Sequence, residues 1–498
     1  MTKSSLKLIF ADILLLTTTL VVFLALRGGG LATQWPRYDI AYAVFLAVWI
    51  VVSFAFGKYA LFARRRIDEM LVPVVAANGG ALAASAFLMY ATSDTNYSRT
   101  VVFGAILITT FVELVYASHH YFTHAESRGP SHAAPRDTLS APDALPAFSG
   151  ATRARAGILL ETASLKAVGF ALNALKDSLE NAAVVHSNSL FTAQSILPYG
   201  APGMVNLQRL NEVRGINRYF QVVNERLRPG GVLVGCVETL EQRMYRLVRT
   251  FTPLLVALGY AFDFTFHRVL PKLAPTRSHY FNLTRGYSRV LSRAEVLGRL
   301  YCCGFEVIAE ENIDGLFWFA ARKVKQPMRD APPTYGPLIA LSRIGRDNKR
   351  LAVYKMRTMH PYSEYLQEYI YKHYNLKEGG KFQNDFRVTT LGRLMRKTFI
   401  DELPMFINFF LGQMKLVGVR PLSAHYFNLY SKELQEKRTR VKPGLIPPFY
   451  ADNPKTLEEI QASEMKYLTA YLKHPWLTDV RYFFLAVFNI VFRRFRSS

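Results

Sequence analysis

Residues 396–421 read RKTFIDELPMFINFFLGQMKLVGVRP. The adjacent acids Asp401 and Glu402 stand between Arg396 and Lys397 on one side and Lys415 and Arg420 on the other. Two carboxylates in a cationic field suit chemistry on a phosphate group: one anion can attack phosphorus or hold a metal, while the cations hold the substrate's negative charge. The local pattern is helical. Thr398–Ile400 end one apolar-periodic helix, and Asp401 is expected to cap the next. Pro404 fits its first turn, where an amide has no helical partner to lose. A carboxylate at such an N-terminus is favoured as an anion.

The rest of the chain says where this chemistry sits. Its 498 residues leave room for two to four domains, half of them are apolar, and the net charge is +24. A basic balance of this size points to nucleic acid, an anionic membrane surface or phosphorylated small molecules. Zinc-like Cys/His spacing and the aromatic-plus-basic signature of nucleic-acid binders are missing, so nucleic acid is not an expected partner. The three cysteines, Cys236, Cys302 and Cys303, are odd in number and include a vicinal pair. That is no disulfide framework and fits a reducing compartment.

Four apolar stretches, Leu8–Leu26, Ile40–Phe56, Met70–Ala91 and Val101–Ser118, each approach the ~20 residues that cross a bilayer core. Residues 1–122 therefore read as a four-helix transmembrane anchor. Lys3 and Lys7 precede the first span and Lys58, Arg64, Arg65 and Arg66 follow the second, against only Arg37 and Arg99 in the other loops. This bias puts the N-terminus and everything after residue 118 in the cytoplasm. Asp12, inside the first span, is either a functional acid or one near the interface. Residues 123–155, rich in Ala, Pro, Ser and Arg, read as a flexible linker.

From 156 to 325 the pattern is α/β. Ala183–His186 and Met204–Leu207 are short strands, and Ile216–Leu227 is a helix. Arg228-Pro229-Gly230-Gly231 is a turn, and Val232–Val237 is a buried strand. Ser292 and Glu295 form a capping box for a helix ending near Gly304, and Phe305–Ile308 with Leu316–Ala321 make a closing hairpin. The order resembles the second half of a class I methyltransferase fold. The glycine-rich first turn that cradles the cofactor there is missing, so the region reads as a Rossmann-like domain without cofactor. The apolar segment Arg249–Leu273 carries Pro253, Gly259, Asp263 and Pro271. It is either a bent, membrane-interacting helix or an ordinary amphipathic core helix.

The remainder, 326–498, carries a series of blocks. In order they are Gly336-Pro337-Leu338-Ile339, Arg343-Ile344-Gly345-Arg346, Tyr354-Lys355-Met356-Arg357-Thr358-Met359, Asp385-Phe386-Arg387-Val388-Thr389 with Leu391-Gly392-Arg393 and Met395-Arg396-Lys397, Asp401-Glu402-Leu403-Pro404, Leu416-Val417-Gly418-Val419-Arg420-Pro421 and Lys442-Pro443-Gly444. Together they resemble the bacterial sugar transferases that move a hexose-1-phosphate onto a polyprenyl phosphate, in the large topology with four N-terminal spans. Val419, Met405 and Pro447 depart from that family's pattern and bear on substrate identity more than on reaction type. The resemblance implies that Asp401 attacks the sugar-bearing phosphate of a UDP-sugar, that UMP leaves, and that polyprenyl phosphate then attacks a covalent phosphosugar. It implies Mg2+ at Asp401, with Glu402 either sharing the ion or handling protons. It also implies phosphate binding by Lys355, Arg357, Arg387, Arg396 and Arg420, with Asp385 orienting Arg387.

The expected fold class is thus a helical membrane anchor, an α/β Rossmann-like middle domain and a mostly helical, membrane-associated catalytic domain. Met395, Met405 and Met414 read as packing residues, and Phe409 and Phe410 as an apolar face toward lipid. Thr456 and Glu459 form a capping box for a helix to about Leu472. Asp479–Phe495 reads as an interfacial helix ending in Arg493, Arg494 and Arg496. The expected setting is a bacterial inner membrane with the catalytic domain facing the cytoplasm; a homodimer is left open. Two other functions are weighed: a membrane-tethered methyltransferase and a non-catalytic scaffold.

Overall fold

The structure, a computed structural model, describes residues 3–26, 30–63, 67–91, 98–123, 159, 163–175, 181–250, 253–329, 335–373, 376–377, 381–382, 385–454 and 456–492. The linker at 124–155, Arg64–Arg66 and the terminal Arg493, Arg494 and Arg496 lie outside these residues. The chain forms two compact units, Met1–Ala134 with Thr239–Arg268, and Pro135–Glu238 with Val269–Ser498.

In the first unit the four apolar stretches become helices α1 (Lys3–Ala25), α2 (Gly30–Ala55), α3 (Ile67–Ala91) and α4 (Arg99–Thr123). Each is long and apolar enough to cross a membrane. Their polar residues face one another. Lys58 Nζ donates to Asp12 (3.0 Å), Asn78 (3.0 Å) and Glu113 (2.9 Å). Trp49 and Tyr59 also donate to Asp12, at 3.0 and 2.9 Å. Asp12 is thus a buried member of a polar network. The segment expected at Arg249–Leu273 is broken. One helix ends at Thr250, the next runs Pro253–Phe264, and a π turn (Thr265–Val269) and a 3-10 turn (Leu270–Lys272) follow. The helices Leu240–Thr250 and Pro253–Phe264 pack on α4, and Arg243 pairs with Asp263.

The second unit is built on a five-stranded mixed sheet of β1 (Ala183–Val185), β2 (Ala201–Asn206), β3 (Leu227–Val237), β4 (Phe305–Ile313) and β5 (Leu316–Lys323), in the order β1-β2-β3-β5-β4. The first three strands are parallel; β5 runs antiparallel to both β3 and β4. A two-residue Asp314-Gly315 turn, both residues at positive φ, closes the β4–β5 hairpin. The expected turn at Arg228–Gly231 is instead a bulge inside β3: Ala201 pairs with Leu227 and Gly203 with Val232, so four residues bow out opposite one. Ser292 caps its helix, Arg293–Cys302, by accepting from Glu295 N at 3.2 Å. Glu295, however, is fully buried and bonds Lys272 and Arg299, so its carboxylate is committed to them.

Beyond the sheet, β6 (Leu338–Ile344) and β7 (Arg350–Met356) form a hairpin, and β8 (Leu376–Lys377) pairs with β9 (Lys381–Phe382). Short β10 (Lys415–Val417) and β11 (Gly444–Ile446) pair in parallel. Helices Leu457–Lys473 and Pro475–Val491 close the unit. The Thr456–Glu459 capping box forms in both directions, and the last helix starts at Pro475, earlier than expected, because proline suits the first helical position.

Candidate active site

The sequence blocks converge because glycines let their backbones touch. Gly392 lies in the first turn of the helix Thr390–Thr398, where a Cβ would fall 2.0 Å from Thr358 O. The same junction is tied by Thr389 N donating to Thr358 O at 2.9 Å, so the block with Lys355 meets the block with Arg396. Gly418 and Gly444 cross just as closely, a Cβ on Gly444 falling 2.1 Å from Gly418 N. That crossing seats Arg420 just beyond the end of β10. The Gly336-Pro337 block pairs with the block of Arg357 through the β6–β7 hairpin, with Arg357 N donating to Pro337 O at 2.6 Å.

The acid pair follows a sharp reversal. Phe399 ends the helix Thr390–Thr398 in the left-handed region, at φ 59°. For a bulky side chain that costs energy which packing must repay, and the ring rests edge-on against Tyr450, centroids 5.7 Å apart. A 3-10 turn, Ile400–Glu402, then holds both acids, and Pro404 is the N-cap of the helix Met405–Phe410. Asp401 is therefore not the expected helix cap; it sits one turn earlier. The consequence is electrostatic. Burial, and next the neighbouring Glu402, raise the Asp401 carboxyl above its ordinary value, while Lys355 and Arg396 pull it back down. Glu402 is held by Lys355, Nζ to Oε1 at 2.7 Å.

The cations are placed differently from one another. Lys355, on β7, pairs with the acid turn. Arg396 is mostly buried; burial lowers its pKa, and it lies in the field of Asp401, Asp385, Arg387 and Arg420. Its Nε donates to Thr358 Oγ1 at 3.0 Å, leaving the rest of the fork for a ligand or a neighbour. Arg387 is buried and braced: Nε and Nη2 grip Asp385 at 2.7–3.1 Å and Nη1 donates to Gln367 at 2.9 Å. Asp385 thus orients Arg387, and the pair forms a strut. Arg420 is exposed and within the field of Arg396 and Arg343. Arg357 donates its Nε to Gly336 O at 2.9 Å, with its charge facing Glu364. Lys415 is committed to Asp479, at 2.9 and 3.0 Å.

Two residues escaped the sequence reading. Arg343 was visible in its block, yet only the fold brings it from β6 toward Arg420. Asn408 is fully buried in an otherwise apolar helix. It donates to Ala352 O (2.7 Å) and accepts from Tyr354 N (3.0 Å), bolting the helix after the acid pair to the strand that carries Lys355. A lone amide in Met-Phe-Ile-Asn-Phe-Phe was the available signal.

Residues 333–493 match the model of the bacterial sugar transferase family. This region belongs to that family. It is similar to a galactosyl transferase of Streptococcus agalactiae, 35% identical over 124 residues, which are 24% of this chain and 26% of that protein. An undecaprenyl-phosphate N-acetylgalactosaminephosphotransferase of Aeromonas hydrophila is 34% identical over 115 residues, covering 22% and 24% of the two chains. A UDP-glucose:undecaprenyl-phosphate glucose-1-phosphate transferase of Klebsiella pneumoniae is 32% identical over 163 residues, 31% and 32%. The matched region thus spans 24% to 32% of the length of these relatives. Every block named above lies within the sugar transferase region.

The helix after the acid pair is amphipathic in a telling way. Met405 is buried with Met414 and Val353, while Leu403, Phe410 and Leu411 are exposed, Phe410 by 80%. Apolar side chains exposed beside a cationic, acid-bearing turn suit a substrate with a lipid tail and a phosphate head.

Proposed function

We propose that this chain transfers a sugar-1-phosphate from a UDP-sugar to undecaprenyl or another polyprenyl phosphate, the first step in building a lipid-linked polysaccharide. The observation that carries the reading is Asp401. It is a partly buried carboxylate on a tight turn, with Arg396 in its field and its neighbour Glu402 already held by Lys355. An oxygen of ionised Asp401 attacks the phosphorus that bears the sugar. The bond from that phosphorus to the bridging oxygen breaks, UMP leaves with the electron pair, and the sugar-phosphate stays on the aspartate. A phosphate oxygen of the lipid then attacks the same phosphorus and frees Asp401. Arg396 and Arg420 neutralise the diphosphate, and Arg343 extends that field.

The donor set also fits Mg2+. Two carboxylates at one turn are few for a protein cage, and among the described residues no cluster of three metal-binding side chains occurs. Magnesium is commonly held by one or two carboxylates plus substrate phosphates. Asp401 and Glu402 would hold it, and it would supply charge neutralisation on the diphosphate.

Four membrane-competent helices and the Lys/Arg bias of their loops support a bacterial inner membrane with the site on the cytoplasmic side. The strand order of the middle sheet, three parallel strands and an antiparallel hairpin, supports a trimmed Rossmann-like domain. At the carboxyl ends of its strands, where such sheets bind cofactors, Asn206 bonds Ser187 and Tyr219, and Asn211 bonds the backbone of Glu238 and Arg289. Those self-satisfied amides favour a structural role there over methyl transfer.

The test is UMP release by the full chain in membranes, with a panel of UDP-sugars, Mg2+ and polyprenyl phosphate. Without lipid acceptor, one enzyme equivalent of UMP and a sugar-phosphate bound at Asp401 are expected. Label trapped on another side chain, or no UMP with any sugar, would overturn the reading.

A further inference from the structure

The middle sheet has no part in the chemistry above, yet its core continues into the sugar transferase region. Leu366, Tyr369, Ile370 and Phe386 share one buried cluster with Phe305 of β4 and with Phe220 of the helix Ile216–Arg226, which packs on the middle sheet. At the junction lies a polar triad. Arg293 Nε donates to Glu310 Oε2 at 3.1 Å and its Nη2 to Glu310 Oε1, and Tyr369 OH donates to the same carboxylate at 2.9 Å. Glu310 and Tyr369 are buried, so this is a fixed arrangement rather than a solvated ion pair.

The Arg293 guanidinium also lies 4.3 Å from the centroid of the Phe386 ring, and Tyr369 meets that ring at 90° with centroids 6.3 Å apart. Phe386 stands between Asp385 and Arg387. Its seat therefore fixes the backbone of both, and Gln367, two residues before Tyr369 on one helix, grips Arg387 from the other side. From there the path to the site is short. His360 N donates to Arg387 O at 2.8 Å, Thr389 N donates to Thr358 O at 2.9 Å, and Thr358 Oγ1 accepts from Arg396.

We infer that Arg293 is a positioning residue: through Phe386 the middle sheet holds the loop 385–389, and with it Arg396, in the arrangement that receives the sugar nucleotide. This rests on the proposed function for what the loop receives. The structural link stands apart from it. A guanidinium is suited to the task because one planar group can fork onto Glu310 and lie over an aromatic face at once.

The experiment compares the full chain with Arg293→Gln and Arg293→Lys in two readouts. The first is UMP release against UDP-sugar concentration. Arg293→Gln is expected to raise KM about tenfold with kcat changed less than about threefold, and Arg293→Lys, which keeps a cation over the ring, to recover part of that loss. The second is hydrogen exchange at the amides of Val388 and Thr389, expected to quicken about tenfold in Arg293→Gln. Wild-type exchange in Arg293→Gln, or a fall in kcat with KM unmoved, overturns the inference. Should Arg293→Gln not fold, Tyr369→Phe removes only the hydroxyl that ties the helix to Glu310; it is expected to move both readouts the same way, and unchanged values overturn the inference. If the wild-type chain releases no UMP, the functional reading falls while the exchange comparison still decides the link.

Discussion

At Asp401 the structure sets folding against chemistry. Its carboxyl is raised in the folded chain above its ordinary value of 3.8, chiefly by burial. The folded state then holds the proton more tightly than the unfolded state, so stability falls as pH rises from the unfolded to the folded value and stays lower above it. Asp401→Asn removes that penalty. It is expected to abolish the covalent adduct yet to raise the thermal midpoint at pH 7, with the gain vanishing below pH ~4; equal midpoints at all pH values would contradict the burial argument. Arg396 offers a second test. Lysine keeps the charge but loses the planar fork that reaches both Thr358 and the site, so Arg396→Lys is expected to lower kcat/KM by about tenfold or more in UMP-release kinetics.

Among elements, the glycine crossings set the tolerances. Gly392→Ala would place a methyl 2.0 Å from Thr358 O, a backbone atom that cannot turn aside. The helix must shift, with an expected cost of about 1–3 kcal/mol in denaturant unfolding and a matching loss of activity. Asn408→Ala leaves Tyr354 N and Ala352 O without their partner, and an expected loss of about 2 kcal/mol should accompany loosening of β7. Local signals were legible where a single turn decides the geometry: the Thr456–Glu459 box formed in full. They were half legible where a distant partner competes, as when Lys272 and Arg299 took the Glu295 carboxylate that a local box would have used. They failed where two strands decide. Arg228–Gly231 carries turn residues, yet the pairing of β2 with β3 on both sides of it makes it a bulge.

For the whole molecule, the helical anchor is held by charge as well as by apolar packing. Lys58 joins Asp12 from α1, Asn78 from α3 and Glu113 from α4, with little exposure of any of the ion-paired side chains. Lys58→Met leaves two carboxylates facing each other without a cation, and removing one partner of a buried ion pair typically costs about 3–5 kcal/mol. The expected outcome is an anchor that unfolds at markedly lower temperature or is degraded, while Lys58→Arg retains much of the stability. The sequence alone determined the membrane-length helices, the alternation of strands and helices, and the acid pair within a cationic series, because apolar run length, turn residues and charge order are local properties of the chain. The tertiary structure decided which cations face the acids, that Arg387 is a strut held by Asp385 and Gln367, and that the middle domain shares a core with the loop that carries Phe386. Those depend on which distant backbones come within van der Waals reach, and spacing along a chain does not encode that directly.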